Sequence, residues 1–163
     1  MKNILIAGFA AALSMGFAAC NNGAYDANPS TNNSGTSNPL NNGSGGSNNS
    51  ALLTSGKWKI SEMTLTTSSG TTDMLALVQD CEKDDIFTFN TDNTATRDEG
   101  ATKCSPGDAQ TRSEGTWSIN GAKFSATNGA NSFTWDIITL DNSTFKISST
   151  INGSTSSQTY VRP

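Results

Sequence analysis

The chain has 163 residues, a formal net charge of -4 at pH 7 and no histidine. The lack of histidine excludes Ser-His-Asp and Cys-His catalysis, and it also excludes histidine-ligated metal sites. Lysine and arginine are scattered along the chain and form no basic patch, so we expect no nucleic-acid partner.

The first 19 residues have the pattern of a signal for export. Lys2 supplies a positive charge, residues 4–17 form an apolar run, and Ala18 and Ala19 are small residues in front of Cys20. A bilayer-spanning helix needs about 20 apolar residues, and this run is shorter. We therefore expect an exported protein without a transmembrane helix.

The sequence Phe17-Ala18-Ala19-Cys20 resembles the lipobox of bacterial lipoproteins, with Phe17 where leucine is usual. The resemblance implies that Cys20 is acylated, becomes the new N-terminus and holds the protein on a membrane through several acyl chains. We expect the envelope of a Gram-negative bacterium, on the outer membrane facing the periplasm, with the cell surface as the alternative. The competing interpretation is an ordinary secretory signal, with Cys20 left as a thiol.

The three cysteines are an odd number for an exported chain. Lipidation of Cys20 leaves Cys81 and Cys104 as a pair, and an oxidising compartment favours a disulfide between them. The chain-entropy model assigns this predicted disulfide on the order of 3 kcal/mol of stabilisation.

Residues 20–50 are predicted to be the lipidated cysteine followed by a flexible tether. Residues 21–50 contain ten Asn, six Ser and five Gly, and their large apolar side chains are Tyr25 and Leu40. Such a segment cannot bury enough apolar surface to offset the entropy of ordering. The alternative is an Asn-rich aggregating segment, against which the interspersed Gly and Pro argue.

Residues 51–163 are predicted to form one all-β domain. All three Trp and five of the seven Phe lie here, apolar residues alternate with a period of two, and turn residues recur at short intervals. Eight antiparallel strands can close into an up-and-down barrel, which removes exposed edges, although a two-sheet β-sandwich would show the same pattern. The predicted strands are 57–65, 85–90, 94–99, 112–119, 123–127, 132–140, 144–151 and 156–162.

Tight turns set the predicted register of the strands. Asn120-Gly121 suits a type I′ turn, which would place Trp117 opposite Phe124. A four-residue loop after Thr127 and a second tight turn at Asn152-Gly153 predict four further neighbouring pairs: Ala126 with Phe133, Phe124 with Trp135, Phe145 with Tyr160 and Ile147 with Gln158.

Two irregular features are predicted near the start of the domain. The apolar alternation of the first strand changes phase, which a β-bulge near Ser61-Glu62 would repair. Between the first two strands, Met74, Leu77 and Val78 have helical spacing, with Thr72 as the N-cap. We therefore expect one short helix that covers an end of the sheet.

Three short motifs resemble those of the lipocalin-like domains found on bacterial lipoproteins. They are Gly56-Lys57-Trp58, Gly115-Thr116-Trp117 and Thr159-Tyr160-Val161-Arg162. The resemblance covers about residues 51–163 and implies a lipocalin-like barrel in which Trp58 packs against Arg162 at the closed end, a structural role for both. The chain is shorter than a typical lipocalin domain and lacks the long final helix, which argues against a large ligand cavity.

The candidate ligand-binding residues are those that the predicted registers place inside the barrel. A small barrel either fills its interior with side chains or holds one small ligand, and the many aromatic rings favour filling. An inward-facing arginine needs a partner, which would be a ligand, Glu114 or Asp136. The candidates are Arg97, Trp117, Phe124, Phe133 and Trp135.

The carboxylates of the domain are interpreted as solvated acidic loops. The main groups are Glu82, Asp84 and Asp85 and the Asp98-Glu99 pair, whereas a glycosidase needs two carboxylates facing one cleft. A calcium loop built from Asp84, Asp85 or Asp92 would lack the ordered spacing of known sites. We predict no catalytic residue, no metal and no cofactor.

The sequence favours a monomeric, non-enzymatic, membrane-anchored protein that binds a small apolar or amphipathic ligand in its barrel. The alternative is a structural or interaction module of the cell envelope, whose filled barrel contacts a protein or a glycan. The volume of the barrel interior distinguishes the two, because a ligand needs space that a filled barrel does not have.

Overall fold

A computed structural model describes residues 45–163. The predicted signal, Cys20 and the predicted tether as far as residue 44 lie outside the described residues. In chain order the elements are α1 (Gly45–Thr54), β1 (Lys57–Thr67), β2 (Gly70–Asp73), a 3-10 helix (Leu75–Leu77), α2 (Asp80–Lys83), β3 (Ile86–Phe89), β4 (Thr94–Asp98), β5 (Thr111–Asn120), β6 (Lys123–Asn128), β7 (Asn131–Leu140), β8 (Thr144–Ile151) and β9 (Ser154–Val161).

Eight antiparallel strands of the described chain close into a barrel. β1 pairs with β3, each strand from β3 to β8 pairs with the next, and β9 pairs back with β1. The extra strand, β2, pairs with residues 64–67 of β1, beyond the residues of β1 that pair with β3. The predicted up-and-down barrel is confirmed, the sandwich alternative is wrong, and β2 is an addition to the eight predicted strands.

The helix α1 packs across one end of the barrel, called here the closed end. Leu53 is fully buried, and its carbonyl accepts a hydrogen bond of 2.8 Å from Trp58 Nε1. Arg162 lies over the Trp58 ring, as the lipocalin resemblance implies. Because α1 begins at Gly45, helical structure starts before residue 51, the predicted start of the domain. The opposite end, which includes the long loop at 99–110, is called the open end.

The turn between β5 and β6 differs from the prediction. Asn120 pairs with Lys123, so Gly121 and Ala122 form the turn. Gly121 has a φ of 59°, and a positive φ at the first central position alone is typical of a type II′ turn. Trp117 therefore lies opposite Ala126 and not opposite Phe124. Since the shift is an even number of residues, the same side chains still face inward.

The other predicted registers are confirmed. All four predicted pairs occur, although the β6–β7 loop is shorter than predicted because Asn128 also pairs with Asn131. Asn152 and Gly153 both have positive φ, as a type I′ turn requires. The predicted bulge lies at Ser61, between the paired residues Ile60 and Glu62.

Short helical segments follow the first strand, as predicted, but the predicted N-cap, Thr72, is wrong. Thr72 belongs to β2 and pairs with Leu65, so the backbone there is extended. A single 3-10 turn follows, and Asp73 Oδ1 accepts hydrogen bonds from the amides of Leu75 at 2.9 Å and Ala76 at 3.2 Å. In residues 70–73, pairing with the free edge of β1 outweighs the helical tendency of the segment, because so short a segment does not form a stable helix by itself.

Aromatic rings fill the interior from the closed end upward. Phe89 contacts the rings of Trp117, Phe124 and Phe145 edge to face, at centroid distances of 6.0, 5.7 and 6.0 Å. Phe145 also lies 5.9 Å from Trp58. Each such pair adds about 0.5 to 1.5 kcal/mol beyond the burial of its area. This part of the barrel is therefore a packed core.

None of the helices in residues 45–163 is long and apolar enough to span a membrane.

Candidate ligand site at the open end of the barrel

A pocket of about 390 Å³, counted together with its opening to solvent, lies among strands β3 to β7. The free space enclosed within its walls is about 20 Å³, room for about one water molecule, so any larger ligand would lie partly in the open mouth. Aromatic and alanine side chains form most of the wall, and Glu114 is the one charged residue among the described residues that line it. The lining residues are Phe87, Phe89, Ala95, Glu114, Thr116, Trp117, Ala126, Thr127, Asn128 and Phe133.

A β-bulge in β5 brings Glu114 to this pocket. Ala95 pairs with Gly115, and the next residue of β4, Thr96, pairs with Ser113, so Glu114 is the extra residue of β5. A bulge shifts the alternation of side chains along a strand. The Glu114 side chain consequently lies inside the barrel, with 8 % of its surface exposed.

Glycine at position 115 makes this bulge possible. Gly115 has a φ of 93°, a conformation that residues with a Cβ rarely adopt. A Cβ at this position would also collide with the carbonyl oxygen of Thr127 on β6. After the bulge, Trp117 faces inward and is 4 % exposed. Its indole Nε1 donates a hydrogen bond of 3.0 Å to the Thr94 carbonyl, which fixes the ring at the pocket wall.

Beyond Glu114 lies a buried ionic cluster, formed by Asp85, Arg97, Glu99, Arg112 and Glu114. Arg97 is at its centre: NH1 is 2.7 Å from Asp85 Oδ2, Nε is 3.0 Å from Glu114 Oε1 and NH2 is 3.8 Å from Glu99 Oε1. Arg112 pairs with Glu99. Arg97 and Arg112 are direct cross-strand partners, and like charges in that position repel, so the carboxylates are needed to hold them together.

The ionic cluster contains one more carboxylate than guanidinium groups. Asp85 Oδ1 is buried and has no hydrogen-bond donor among the described residues. Burial raises the pKa of Asp85 to about 6, against the opposing attraction of Arg97 and Arg112. Burial also raises the pKa of Glu114, again against the attraction of the two arginines. The folded protein therefore keeps the excess negative charge in a poorly solvated environment, which costs free energy.

The loop between β4 and β5 is fixed above the ionic cluster by the predicted disulfide. Cys81 in α2 is bonded to Cys104, with a Cα–Cα distance of 5.1 Å, so this prediction is confirmed. Asp84 Oδ2 accepts hydrogen bonds of 2.9 Å from the amides of Ala101 and Thr102. The disulfide and the Asp84 carboxylate therefore hold the loop on the segment that carries Asp85.

The structure distributes the five predicted ligand-binding residues over three environments. Trp117 and Phe133 line the pocket. Phe124 and Trp135 are buried in the aromatic core, at 0 % and 3 % exposure, and are not among the lining residues. Arg97 reaches the pocket only through its contact with Glu114. The ligand-binding role of these residues stays a prediction.

Two interpretations of charged residues need correction. Asp85 and Glu99 are each 1 % exposed and bind arginines, so they do not belong to solvated acidic loops. Asp136 is not a partner of Arg97, because it forms a 2.6 Å ion pair with Lys123 on the barrel exterior. Glu114 is a partner of Arg97, as one of the predicted alternatives stated, and Asp85 is a second partner that was not predicted.

The sequence patterns did not indicate the role of Arg112, nor that Phe87, Phe89, Ala95 and Ala126 line the pocket. The alternation of Ala95 and Arg97 in β4 with Glu99 just after it was a usable signal, since it places two opposite charges on the face that carries the core. Gly115 was the corresponding signal for the bulge that aligns Glu114 with them.

The carboxylates considered for calcium all have other partners. Asp84 binds the β4–β5 loop, Asp85 binds Arg97, and Asp92 Oδ1 accepts hydrogen bonds from the amide and hydroxyl of Thr94. In residues 45–163, no group of three or more Cys, Asp or Glu side chains is placed to hold a metal ion.

Most of the barrel sequence is similar to a known family of domains. Residues 54–147 match the model of the lipocalin-like domain family. A crystal structure of a lipocalin-like protein from Bacteroides uniformis is similar, with 16 % sequence identity, a TM-score of 0.43, and coverage of 69 % of this chain and 99 % of that one. No curated protein matches the chain. Because the family model spans more than half of the sequence, the chain belongs to the lipocalin-like domain family.

Proposed function

We propose that this protein is a lipid-anchored, non-enzymatic, lipocalin-like protein that binds a small apolar or amphipathic ligand. The pocket at the open end supports the proposal, because apolar walls surround a single charged group there. Ligand sites typically combine a mainly apolar lining with a few polar groups that orient the ligand. The packed core below the pocket limits the ligand to a small molecule or to one end of a longer one.

The chemistry of the described residues supports a binding role rather than catalysis. The carboxylates of the ionic cluster are engaged by arginines, whereas a hydrolase needs a free acid and base facing one substrate. Two cysteines are bonded to each other and so cannot act as nucleophiles.

A pocket-filling variant tests ligand binding. We expect thermal-shift screening of the isolated protein against small apolar alcohols, amines and other amphipathic metabolites to give ligands whose affinity calorimetry can measure. Ala126→Leu should weaken that binding at least tenfold, because the added carbons occupy the pocket between Trp117 and Phe133. Ala109→Leu, in the exposed β4–β5 loop, is the matched control and should bind normally. Failure of every compound to bind would reject the proposal.

Membrane anchoring is tested separately through Cys20. Cells fed an alkyne-bearing fatty acid should label the protein, and Cys20→Ser should abolish both the label and retention in the membrane fraction. Protease treatment of intact cells then distinguishes the periplasmic face, where the protein is protected, from the cell surface. An unlabelled, freely soluble wild-type protein would reject the anchor without affecting the ligand proposal.

The filled lower barrel favours a second candidate, an envelope module that contacts a protein or a glycan. Exposed Ile138, at a bulge in β7, and exposed Leu77 are 56 % and 73 % accessible and are available for contacts. Crosslinking in intact envelopes should then recover a specific partner, while the ligand screen gives none.

A further inference from the structure

The pocket is bordered by an excess of negative charge. Three carboxylates of the ionic cluster face two guanidinium groups, and Glu114 is the member that also lines the pocket. Its side chain is more than nine-tenths buried, so water provides little solvation for the extra charge. A positive group in the pocket would therefore balance the cluster.

The rest of the pocket wall suits the same kind of group. Four aromatic side chains line it, and aromatic rings attract cations more strongly where water is excluded. The Lys and Arg side chains of the described chain lie elsewhere than in the lining, so an anionic ligand would find no counter-charge and would meet Glu114 directly. This arrangement selects against anions as well as for cations.

We propose that the ligand of this pocket is a small amphipathic cation, a protonated amine carried on an apolar body. The inference rests on the proposed function, since it names the class of ligand for the same pocket. The ammonium group lies beside the Glu114 carboxylate, and the apolar body packs among Phe89, Trp117 and Phe133.

Three probes with the same ring and different head groups test the charge preference. They are 2-phenylethylamine, 2-phenylethanol and 3-phenylpropanoate, measured by calorimetry at pH 7 on the protein as isolated from cells. We expect the amine to bind at least tenfold more tightly than the alcohol, and the carboxylate to bind more weakly than the alcohol. Equal affinities, or tighter binding of the carboxylate, would overturn the inference but leave ligand binding intact. Binding of none of the three would overturn the inference, and failure of every compound in the wider screen as well would overturn ligand binding.

Substitution of Glu114 tests the residue assigned to the cation. Glu114→Gln leaves two carboxylates with two arginines, so the charges of the ionic cluster become balanced. We expect this variant to bind the amine no more tightly than the alcohol, while its affinity for the alcohol is unchanged. Asp136→Asn, which removes an exposed carboxylate outside the pocket, is the control and should keep the full preference. A preference for the amine that survives Glu114→Gln would overturn the assignment. If Glu114→Gln does not fold, the affinities of the unaltered protein for the three probes test the preference for a cation.

Discussion

The guanidinium carbon of Arg162 lies 3.6 Å from the centroid of the Trp58 ring. The same guanidinium donates hydrogen bonds to the carbonyls of Leu52, Lys57 and Asn142 at 3.0, 3.2 and 3.1 Å. One side chain near the C-terminus thus joins α1, the first strand and the β7–β8 loop. This arrangement makes the closed end a single unit.

Loss of Arg162 should destabilise the closed end strongly. Arg162→Ala removes the cation–π contact, which contributes about 0.5 to 2 kcal/mol, together with hydrogen bonds from a charged donor. We expect the free energy of unfolding, measured in urea, to fall by about 3 kcal/mol. Lys146→Ala breaks only an exposed 3.4 Å ion pair with Glu62 and should cost less than about 1 kcal/mol. Equal losses of unfolding free energy in the two variants would contradict the role of Arg162 in holding the closed end together.

Gly115→Ala should disrupt the bulge that presents Glu114. The positive φ and the collision with the Thr127 carbonyl act together, and we expect a loss of more than about 2 kcal/mol in the free energy of unfolding. Gly107→Ala is the matched control, because no atom lies within 4 Å of its added Cβ. A Gly115→Ala protein as stable as this control would show that the bulge tolerates other residues.

The stability of the protein should fall as the pH rises from about 4 to 6. Burial raises the pKa of Asp85 from 3.8 to about 6, so the folded state holds a proton that the unfolded state has already released. Stability from this group is greatest below pH 3.8 and is lost as the pH passes 6, by on the order of 3 kcal/mol. Burial raises the pKa of Glu114 as well, which acts in the same direction.

Asp85→Asn should flatten this part of the pH profile, as measured by urea unfolding at pH 5 and pH 7. Asp92→Asn is the control: its exposed carboxylate has a lowered pKa because it accepts hydrogen bonds from Thr94. The Asp92 carboxylate stabilises the folded state at pH values above its ordinary pKa, and this stabilisation is lost only in more acidic solution. A steep profile that persists in Asp85→Asn would contradict the assignment.

Removal of the disulfide should loosen the open end and lower stability. The double variant Cys81→Ser, Cys104→Ser is expected to lose about 3 kcal/mol in the free energy of unfolding. Hydrogen exchange should also increase at Ala101 and Thr102, whose amides bind Asp84. Alkylation of the denatured, unreduced wild-type protein should leave both cysteines unmodified. Modification of both would contradict the bond.

The barrel could be predicted because its determinants are local. Alternation identified the strands, and Asn152-Gly153 fixed a register through the φ values that its turn requires. The turn near Asn120 was placed one residue early because Gly121 can serve either a type I′ or a type II′ turn. The two choices leave the same side chains inside, so the predicted core survived the error.

The site was harder to predict because it depends on contacts between distant strands. The bulge at Glu114 needs the close approach of Thr127, and the burial of Asp85 and Glu99 needs Arg97 and Arg112 opposite one another. β2 likewise formed where β1 had a free edge, which no pattern within residues 70–73 indicates. From the sequence alone, Asp85 and Glu99 look like residues of exposed loops, because their burial becomes evident only when the strand register is known.

The helix α1 is the first element of the described chain and packs at the closed end of the barrel. The described chain therefore enters the barrel at the end away from the mouth of the pocket. Under the proposed anchoring through Cys20, a ligand could reach the mouth from the aqueous phase without passing α1.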